Sequence, residues 1–131
     1  MRVYMVPNNF VKIGEYTKLN KAPEYIPFIG RSKSRILPIV YLLVCKGEVM
    51  YVGETRRGYS RPLSYHKNTV MKTQRDAIEY ELSKGNVVEV YCIHVPNQIV
   101  TFNSESFENY IAQDYEKALI KKLNPPWNGR R

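Results

Sequence analysis

An almost unbroken apolar run near the middle of the chain constrains the fold more than any other feature of the sequence. Residues 36–45 are almost wholly apolar and rich in β-branched side chains, as expected of a strand that is buried on both faces. Lys46, Gly47 and Glu48 supply a tight turn, and residues 49–53 form a second apolar run. The sequence therefore predicts a β-hairpin over residues 36–53 as the centre of the fold.

Helical patterns and one further strand follow the hairpin. We expect a short helix near residues 60–67 and a better one over residues 73–84, which Gly85 and Asn86 would end. Residues 86–95 alternate and are rich in valine, so they predict a third strand.

The last helix is predicted to begin at Ser104. Serine is a favourable N-cap, and Glu105 and Glu108 would lie in the first turn, where the helix dipole stabilises negative charge. The helix should run to about Leu123. Its core-facing residues, at helical spacing, would be Phe107, Ile111, Tyr115, Ala118 and Leu119.

The chain that follows this helix is expected to fasten the C-terminus to the body of the protein. Asn124, Pro125 and Pro126 would end the helix, since proline cannot continue it. Trp127 would fold back as an anchor, and Asn128 is expected to help fasten the tail rather than perform chemistry.

Residues 1–35 differ in composition from the rest of the chain. They are polar, basic and interrupted by prolines, so we interpret them as an arm that packs on the core. Residues 36–131 would form the main domain, in a protein of one domain. The predicted fold is α+β, with a small antiparallel three-stranded central sheet flanked by helices.

The charge of the chain indicates a polyanionic partner. The net charge is +8, and Gly85 to Glu116 holds five acids and no Lys or Arg. Because that segment contributes −5, the rest of the chain carries +13. Such asymmetry favours a basic face that displaces counterions from nucleic acid, and a merely solvated basic surface is the alternative.

Two further observations bear on the compartment and the class of protein. The N-terminus lacks the apolar stretch of a signal peptide, and no run is long enough to cross a bilayer. We therefore expect a cytoplasmic protein without a membrane partner. Cys45 and Cys92 lie in apolar, strand-like runs without C-x-x-C spacing, which favours buried free thiols over a disulfide or a zinc site.

Three separated patches of sequence carry the functional signal. The first patch consists of two tripeptides, one in each apolar run. They are Ile39-Val40-Tyr41 and Tyr51-Val52-Gly53, and their tyrosines are ten residues apart. Arg61 follows Gly53 after eight residues, with Tyr65 and His66 about one helical turn later. Near the C-terminus, Glu116 precedes Asn124 by eight residues, and Asn-Pro-Pro-Trp-Asn closes the motif.

This pattern resembles the GIY-YIG nuclease superfamily, and its ending is similar to that of small phage and restriction nucleases within it. The resemblance covers residues 36–128. Ile39 stands where the family has the first glycine of its name motif. Pro62 follows Arg61 directly and biases that arginine away from helical geometry, so the register of Tyr65 and His66 is open.

The resemblance implies an active site for phosphodiester hydrolysis. Glu116 would bind one Mg²⁺, or Mn²⁺ in its place, and Arg61 would clamp the scissile phosphate. Tyr41 would act as general base toward water, and Tyr51 would lie on the same face if the hairpin pairing brings the two together. Since an ordinary tyrosine has a pKa of about 10, activity should rise with pH. Tyr65 or His66 would orient the water or bind the phosphate, and both assignments stay open.

Other residues are expected to bind DNA or to shape the site. Gly53 should let the backbone turn sharply out of the hairpin and leave space for DNA, while Asn124 and Asn128 would be structural. The candidates for contacts with DNA phosphates are Arg31, Lys33, Arg35, Arg56, Arg57 and Lys67.

The sequence thus predicts a Mg²⁺-dependent endonuclease acting on double-stranded DNA, of free-standing phage or restriction type. Cutting both strands would need two active sites, which favours a homo-oligomer. Two alternatives are a catalytically inactive nucleic-acid-binding module of the same fold and a nuclease specific for RNA or single strands. A glutamate that repels phosphate argues against the first, while exposed stacking tyrosines would suit the second.

Overall fold

The computed structural model describes residues 6–19, 22–27, 38–56 and 72–129. In these ranges the chain forms seven β-strands, two α-helices and one short 3-10 helix. In chain order they are β1 (Val11–Leu19), β2 (Ala22–Pro27), β3 (Ile39–Cys45), β4 (Glu48–Thr55), α1 (Lys72–Ser83), β5 (Val88–His94), β6 (Gln98–Phe102), β7 (Glu105–Asn109), α2 (Ala112–Leu123) and the 3-10 helix Pro126–Asn128.

Five strands form one antiparallel sheet in the order β2-β1-β5-β3-β4. The predicted hairpin is present as β3 and β4, and the predicted third strand is present as β5, which pairs with the other side of β3. The α+β class is confirmed. The three predicted strands lie side by side in an antiparallel sheet, and β1 and β2 extend that sheet beyond β5 to five strands.

Both added strands come from the segment that we expected to be a basic arm. Strand β1 pairs antiparallel with β2 on one side and with β5 on the other. Its register against β5 shifts between Lys12 and Gly14. Such a bulge changes which face successive residues occupy, so the alternation that marks a strand in a sequence is broken there.

The sheet carries a hydrophobic layer on each face. In the first, which we term the α1 layer, Ile78 and Leu82 of α1 pack with Tyr41 and Leu43 of β3. The second is the α2 layer, which joins buried residues of β3 and β4 to α2 and contains Val40, Leu42, Val52, Ala112, Leu119 and Leu123. Strand β3, buried at every position, therefore contributes to both cores, as its unbroken apolar sequence predicts.

Two predictions about buried elements are confirmed. The helix expected over residues 73–84 is present as α1, and the chain leaves it through Gly85, whose φ of 86° suits glycine. Cys45 and Cys92 are buried free thiols.

The helix expected near residues 60–67 lies outside the described residues. None of the described helices has the length and apolar character that a bilayer crossing requires.

Residues 98–109 overturn the predicted start of the last helix. They form the hairpin β6–β7, and α2 begins only at Ala112. Asn103 and Ser104 have φ angles of 58° and 68°, so Ser104 turns the hairpin instead of capping a helix. Phe107, expected in the core, is 53% exposed. Ala118, also expected to face the core, is exposed on α2.

Candidate functional site

Two tyrosines predicted to act together lie side by side in the α1 layer. The ring centroids of Tyr41 and Tyr51 are 6.2 Å apart with an angle of 41° between the ring planes. Leu43 is paired with Tyr51, so the tyrosines occupy diagonal positions on one face of the β3–β4 hairpin. Tyr41 is 0% exposed and Tyr51 is 9% exposed. Both rings therefore belong to the core as well as to the candidate site.

Gly53 leaves the space that the ring of Tyr41 occupies, a role that the sequence did not indicate. It lies within β4, directly opposite Tyr41, and the strand continues to Thr55. A Cβ atom at Gly53 would lie 2.5 Å from Cζ and from the hydroxyl oxygen of Tyr41. The expected sharp turn toward DNA is therefore wrong. The glycine is needed because the Tyr41 ring crosses the backbone at this point.

Helix α2 positions Glu116 beside the edge of the sheet. Ala112, Leu119 and Leu123 are the buried residues of this helix and pack in the α2 layer. Glu116 lies one turn after Ala112 and one turn before Ile120, and it is partly buried. The carboxylate is thus carried at the border between the apolar layer and solvent. Tyr41 and Tyr51 lie on the opposite face of the same two strands.

A groove of about 560 Å³ runs along the exposed side of α2 next to Glu116. Among the described residues, its lining is formed by Glu116, Lys117, Ile120, Lys121 and Asn124. Lys117 and Lys121 were not among the residues predicted from the sequence to bind DNA. They lie four residues apart on the helix that carries Glu116, so they share one face of that helix. This spacing could have identified them in the sequence as a basic pair near Glu116.

The end of α2 and the tail after it hold the site together. Asn124 ends the helix with a left-handed φ of 48°, and its backbone N–H donates to the carbonyl of Ile120. This conformation suits asparagine. Asn124 therefore both closes the helix, as expected of a structural residue, and lines the groove.

Asn128 fastens the tail to the exposed edge of β4. The backbone N–H of Val52 donates to Oδ1 of Asn128 at 2.9 Å, and Nδ2 of Asn128 donates to the carbonyl of Val52 at 3.0 Å. The side-chain amide thus makes the pair of hydrogen bonds that the backbone of a neighbouring strand would make with Val52. Trp127 packs against the α1 layer, and its carbonyl accepts a bond from Gln74 at 3.0 Å. The tail consequently joins the two layers around β4, and Trp127 anchors it as predicted.

A polar cluster lies at the end of β4, beside the site. The hydroxyl of Tyr110 donates to the carboxylate of Glu54, and the guanidinium of Arg56 lies 3.8 Å from the centre of the Tyr110 ring. Burial and the hydrogen bond to Glu54 raise the pKa of Tyr110, while Arg56 opposes the shift. Stacking on the ring orders Arg56 at the surface. Such an ordered cation suits the phosphate contact predicted for it.

Several predicted site residues lie outside the described part of the chain. They comprise Arg61, Tyr65 and His66 of the predicted active site and the candidate DNA contacts Arg31, Lys33, Arg35, Arg57 and Lys67. Within the described ranges no three His, Cys, Asp or Glu side chains are grouped so as to hold a metal ion. The described part of the site thus offers Glu116 as a single carboxylate.

Comparison with known proteins identifies the fold. No protein-family model and no curated protein matches the chain. The structure of a mutant of bacteriophage T4 EndoII superimposes with a TM-score of 0.72 and 22% identity, covering 92% of this chain and 92% of that one. The chain therefore shares the fold of this phage protein.

The chain is also similar in fold to the restriction endonuclease HPY188I, whose structure was solved in complex with product DNA. The TM-score is 0.52 at 16% identity, over 93% of this chain and 78% of that chain. The resemblance predicted from the tyrosine, arginine and glutamate spacing is therefore confirmed at the level of the fold.

Proposed function

We propose that the chain is a metal-dependent endonuclease that hydrolyses phosphodiester bonds of double-stranded DNA. The observation that carries the proposal is the groove along α2, where the partly buried Glu116 lies beside Lys117 and Lys121. A carboxylate alone repels phosphate, and lysines alone would only bind it. A carboxylate among lysines is the combination expected where a cation is held against a phosphate backbone.

The donor set fits Mg²⁺, or Mn²⁺ in its place. Glu116 supplies a hard carboxylate oxygen on the wall of the groove. With one carboxylate, most coordination positions would be filled by water and by phosphate oxygens, so the ion should bind weakly until DNA is present. When bound, it would supply positive charge that stabilises the pentacoordinate phosphate.

The remaining roles rest on the resemblance and on the geometry of the tyrosine pair. The resemblance assigns Tyr41 the proton of the attacking water, which it could accept only as a phenolate. Its ring lies beside that of Tyr51 in the α1 layer, on the other face of the sheet from α2. Arg61 clamps the scissile phosphate, and either Tyr65 or His66 orients the water. Stabilisation of charge in a site partly closed to water is the largest contribution that such an arrangement can make to the rate.

The type of enzyme that fits best is a free-standing phage or restriction endonuclease. The similarity to phage T4 EndoII extends over 92% of both chains, and the similarity to a restriction endonuclease bound to product DNA supports duplex DNA as substrate. Arg56, Lys117 and Lys121 are described cations that can contact the DNA backbone.

A panel of substrates tests this function. Supercoiled plasmid, linear duplex DNA, single-stranded DNA and RNA are each incubated with Mg²⁺, with Mn²⁺ or with a chelator. We expect cleavage of both duplex substrates in the presence of metal and none with the chelator. Cleavage of RNA or single strands alone would overturn the substrate, and binding without cleavage in every lane would make the chain a binding module.

A further inference from the structure

Tyr110 lies at the junction between the hairpin β6–β7 and helix α2. Strand β7 ends at Asn109 and α2 begins at Ala112, and the Tyr110 side chain is partly buried against the α2 layer. Its hydroxyl donates a hydrogen bond to the carboxylate of Glu54, and the guanidinium of Arg56 lies 3.8 Å from the centre of its ring. One side chain thus joins α2 to two charged residues near the end of β4.

This cluster lies on the same face of the sheet as Glu116. Glu54 is paired with Val40 in the β3–β4 hairpin, and directly opposed residues project from the same face of a sheet. Val40 belongs to the α2 layer, against which Tyr110 also packs. Arg56 is therefore held on the side of the sheet where α2 carries the carboxylate of the candidate site.

Arg56 keeps its charge available in this arrangement. Its side chain is exposed, and no carboxylate within the described ranges lies at ion-pair distance from it. Glu54 is only two residues away along the chain, but its carboxylate accepts the Tyr110 hydroxyl instead. A guanidinium stacked on an aromatic ring still presents the N–H groups of its edge in one plane, a geometry that fits two phosphate oxygens.

We propose that Tyr110 is a positioning residue, which holds Arg56 toward a phosphate of the DNA duplex and keeps Glu54 from neutralising it. This role rests on the proposed function, because it requires duplex DNA to lie over the α2 face of the sheet. An arginine that is already held in place loses less conformational freedom when it binds, so the stacking strengthens the contact. Tyr110 acts only through Arg56, since its ring lies under the guanidinium and its hydroxyl is bonded to Glu54.

The salt dependence of DNA binding tests this role. Dissociation constants for a labelled duplex are measured by fluorescence anisotropy at several salt concentrations, with chelator present to prevent cleavage. Arg56→Gln should weaken binding about tenfold at low salt and reduce the slope of log K against log salt by about 1, as expected for one lost phosphate contact. Tyr110→Leu should reproduce both effects although it removes no charge, and it should add nothing in the Arg56→Gln background.

Tyr110→Phe separates the hydroxyl from the ring and preserves the packing on the α2 layer. Without the hydroxyl, the Glu54 carboxylate is free to pair with Arg56, so DNA binding should weaken by about threefold. Glu54→Gln should then raise the affinity more in the Tyr110→Phe background than in the wild type, because only there does the carboxylate neutralise Arg56.

Tyr80→Leu is the matched control. Tyr80 lies under another cation, with Nζ of Lys84 4.8 Å from the centre of its ring at the end of α1. Its loss removes a similar aromatic contact outside the proposed site, so it should change neither the affinity for DNA nor the salt slope.

The possible outcomes separate this role from the proposed function. A wild type that binds duplex DNA with a salt slope unchanged by Tyr110→Leu overturns the positioning role and leaves the nuclease proposal standing. A further loss of affinity when Tyr110→Leu is added to Arg56→Gln also overturns it, since Tyr110 would then act independently of Arg56. Equal effects of Glu54→Gln in both backgrounds overturn the part assigned to Glu54. A wild type that binds no duplex DNA overturns both proposals.

Discussion

The aromatic ring of Tyr41 lies directly across the backbone of Gly53, its partner in the β3–β4 hairpin. The space is so tight that a methyl group on Gly53 would approach the ring and the hydroxyl oxygen to 2.5 Å. Gly53 of the second tripeptide thus determines where the ring of Tyr41, in the first tripeptide, can lie. This relationship links the sequence pattern to the geometry of the candidate site.

Replacement of Gly53 by alanine should therefore displace Tyr41. We expect Gly53→Ala to lower the free energy of unfolding by about 1–3 kcal/mol, the usual cost of overpacking a buried site. In a Tyr41→Leu background the same change should cost much less, because the atoms that clash are gone. Urea denaturation of the four proteins measures the coupling. Strictly additive effects would contradict the contact.

Tyr41→Phe separates catalysis from packing. The change removes one hydroxyl from a ring that is 0% exposed and should cost about 1 kcal/mol of stability. Plasmid cleavage should fall at least about 100-fold if the hydroxyl acts on the water. Tyr16→Phe is the matched control, since Tyr16 is also 0% exposed in the α1 layer. Equal losses of cleavage in both variants would argue for a purely structural tyrosine.

The central hairpin and α1 were predictable because their sequence signals are local. The run from Ile39 to Cys45 is buried on both faces, so every residue of β3 is apolar and no competing pattern exists. Gly85 ends α1 with a positive φ that the sequence itself suggests. Tyr41 and Tyr51 share a face only because the register shifts between Leu43 and Val44. The register set by the turn alone would place Tyr51 opposite Leu42, on the other face. The sequence therefore predicted the hairpin, and the shared face only on condition of this pairing.

The elements that were missed lack such local signals. In β1 the bulge between Lys12 and Gly14 hides the strand, and only pairing with β5 reveals it. Ser104 and Glu105 have the residue types that favour the start of a helix. In the structure, however, Asn103 and Ser104 adopt positive φ angles and form the turn of a hairpin. The contact between Gly53 and Tyr41 depends on side-chain placement across two strands, which residue spacing does not specify.

The thiol of Cys45 should make stability depend on pH above neutrality. Burial, reinforced by Glu81, raises its pKa from 9.0 to about 11. A raised pKa in the folded state gives a contribution that is complete below pH 9 and is lost as pH rises through about 11. Denaturation of wild type and Cys45→Ala under reducing conditions should therefore give curves that converge across this window. Parallel curves would contradict the shift.

Lys117 and Lys121 should contribute to DNA binding without specifying sequence. Each faces the groove beside Glu116, so Lys117→Gln and Lys121→Gln should weaken binding uniformly across DNA sequences. Each should also reduce the slope of log K against log salt by about 1. Lys84→Gln is the matched control, because Lys84 lies over Tyr80 at the end of α1. An equal loss of DNA affinity in Lys84→Gln would show that Lys117 and Lys121 act only through the overall charge of the surface.

The most direct test of the proposed function is plasmid cleavage by wild type and by Glu116→Gln, with binding to the same DNA measured in parallel. The substitution keeps the shape of the side chain and removes the charge that would hold the metal ion. We predict that the wild type cuts only with Mg²⁺ or Mn²⁺, and that the variant binds DNA but cuts at least about 100-fold more slowly. Undiminished cleavage by Glu116→Gln would contradict the assignment of this carboxylate to the active site.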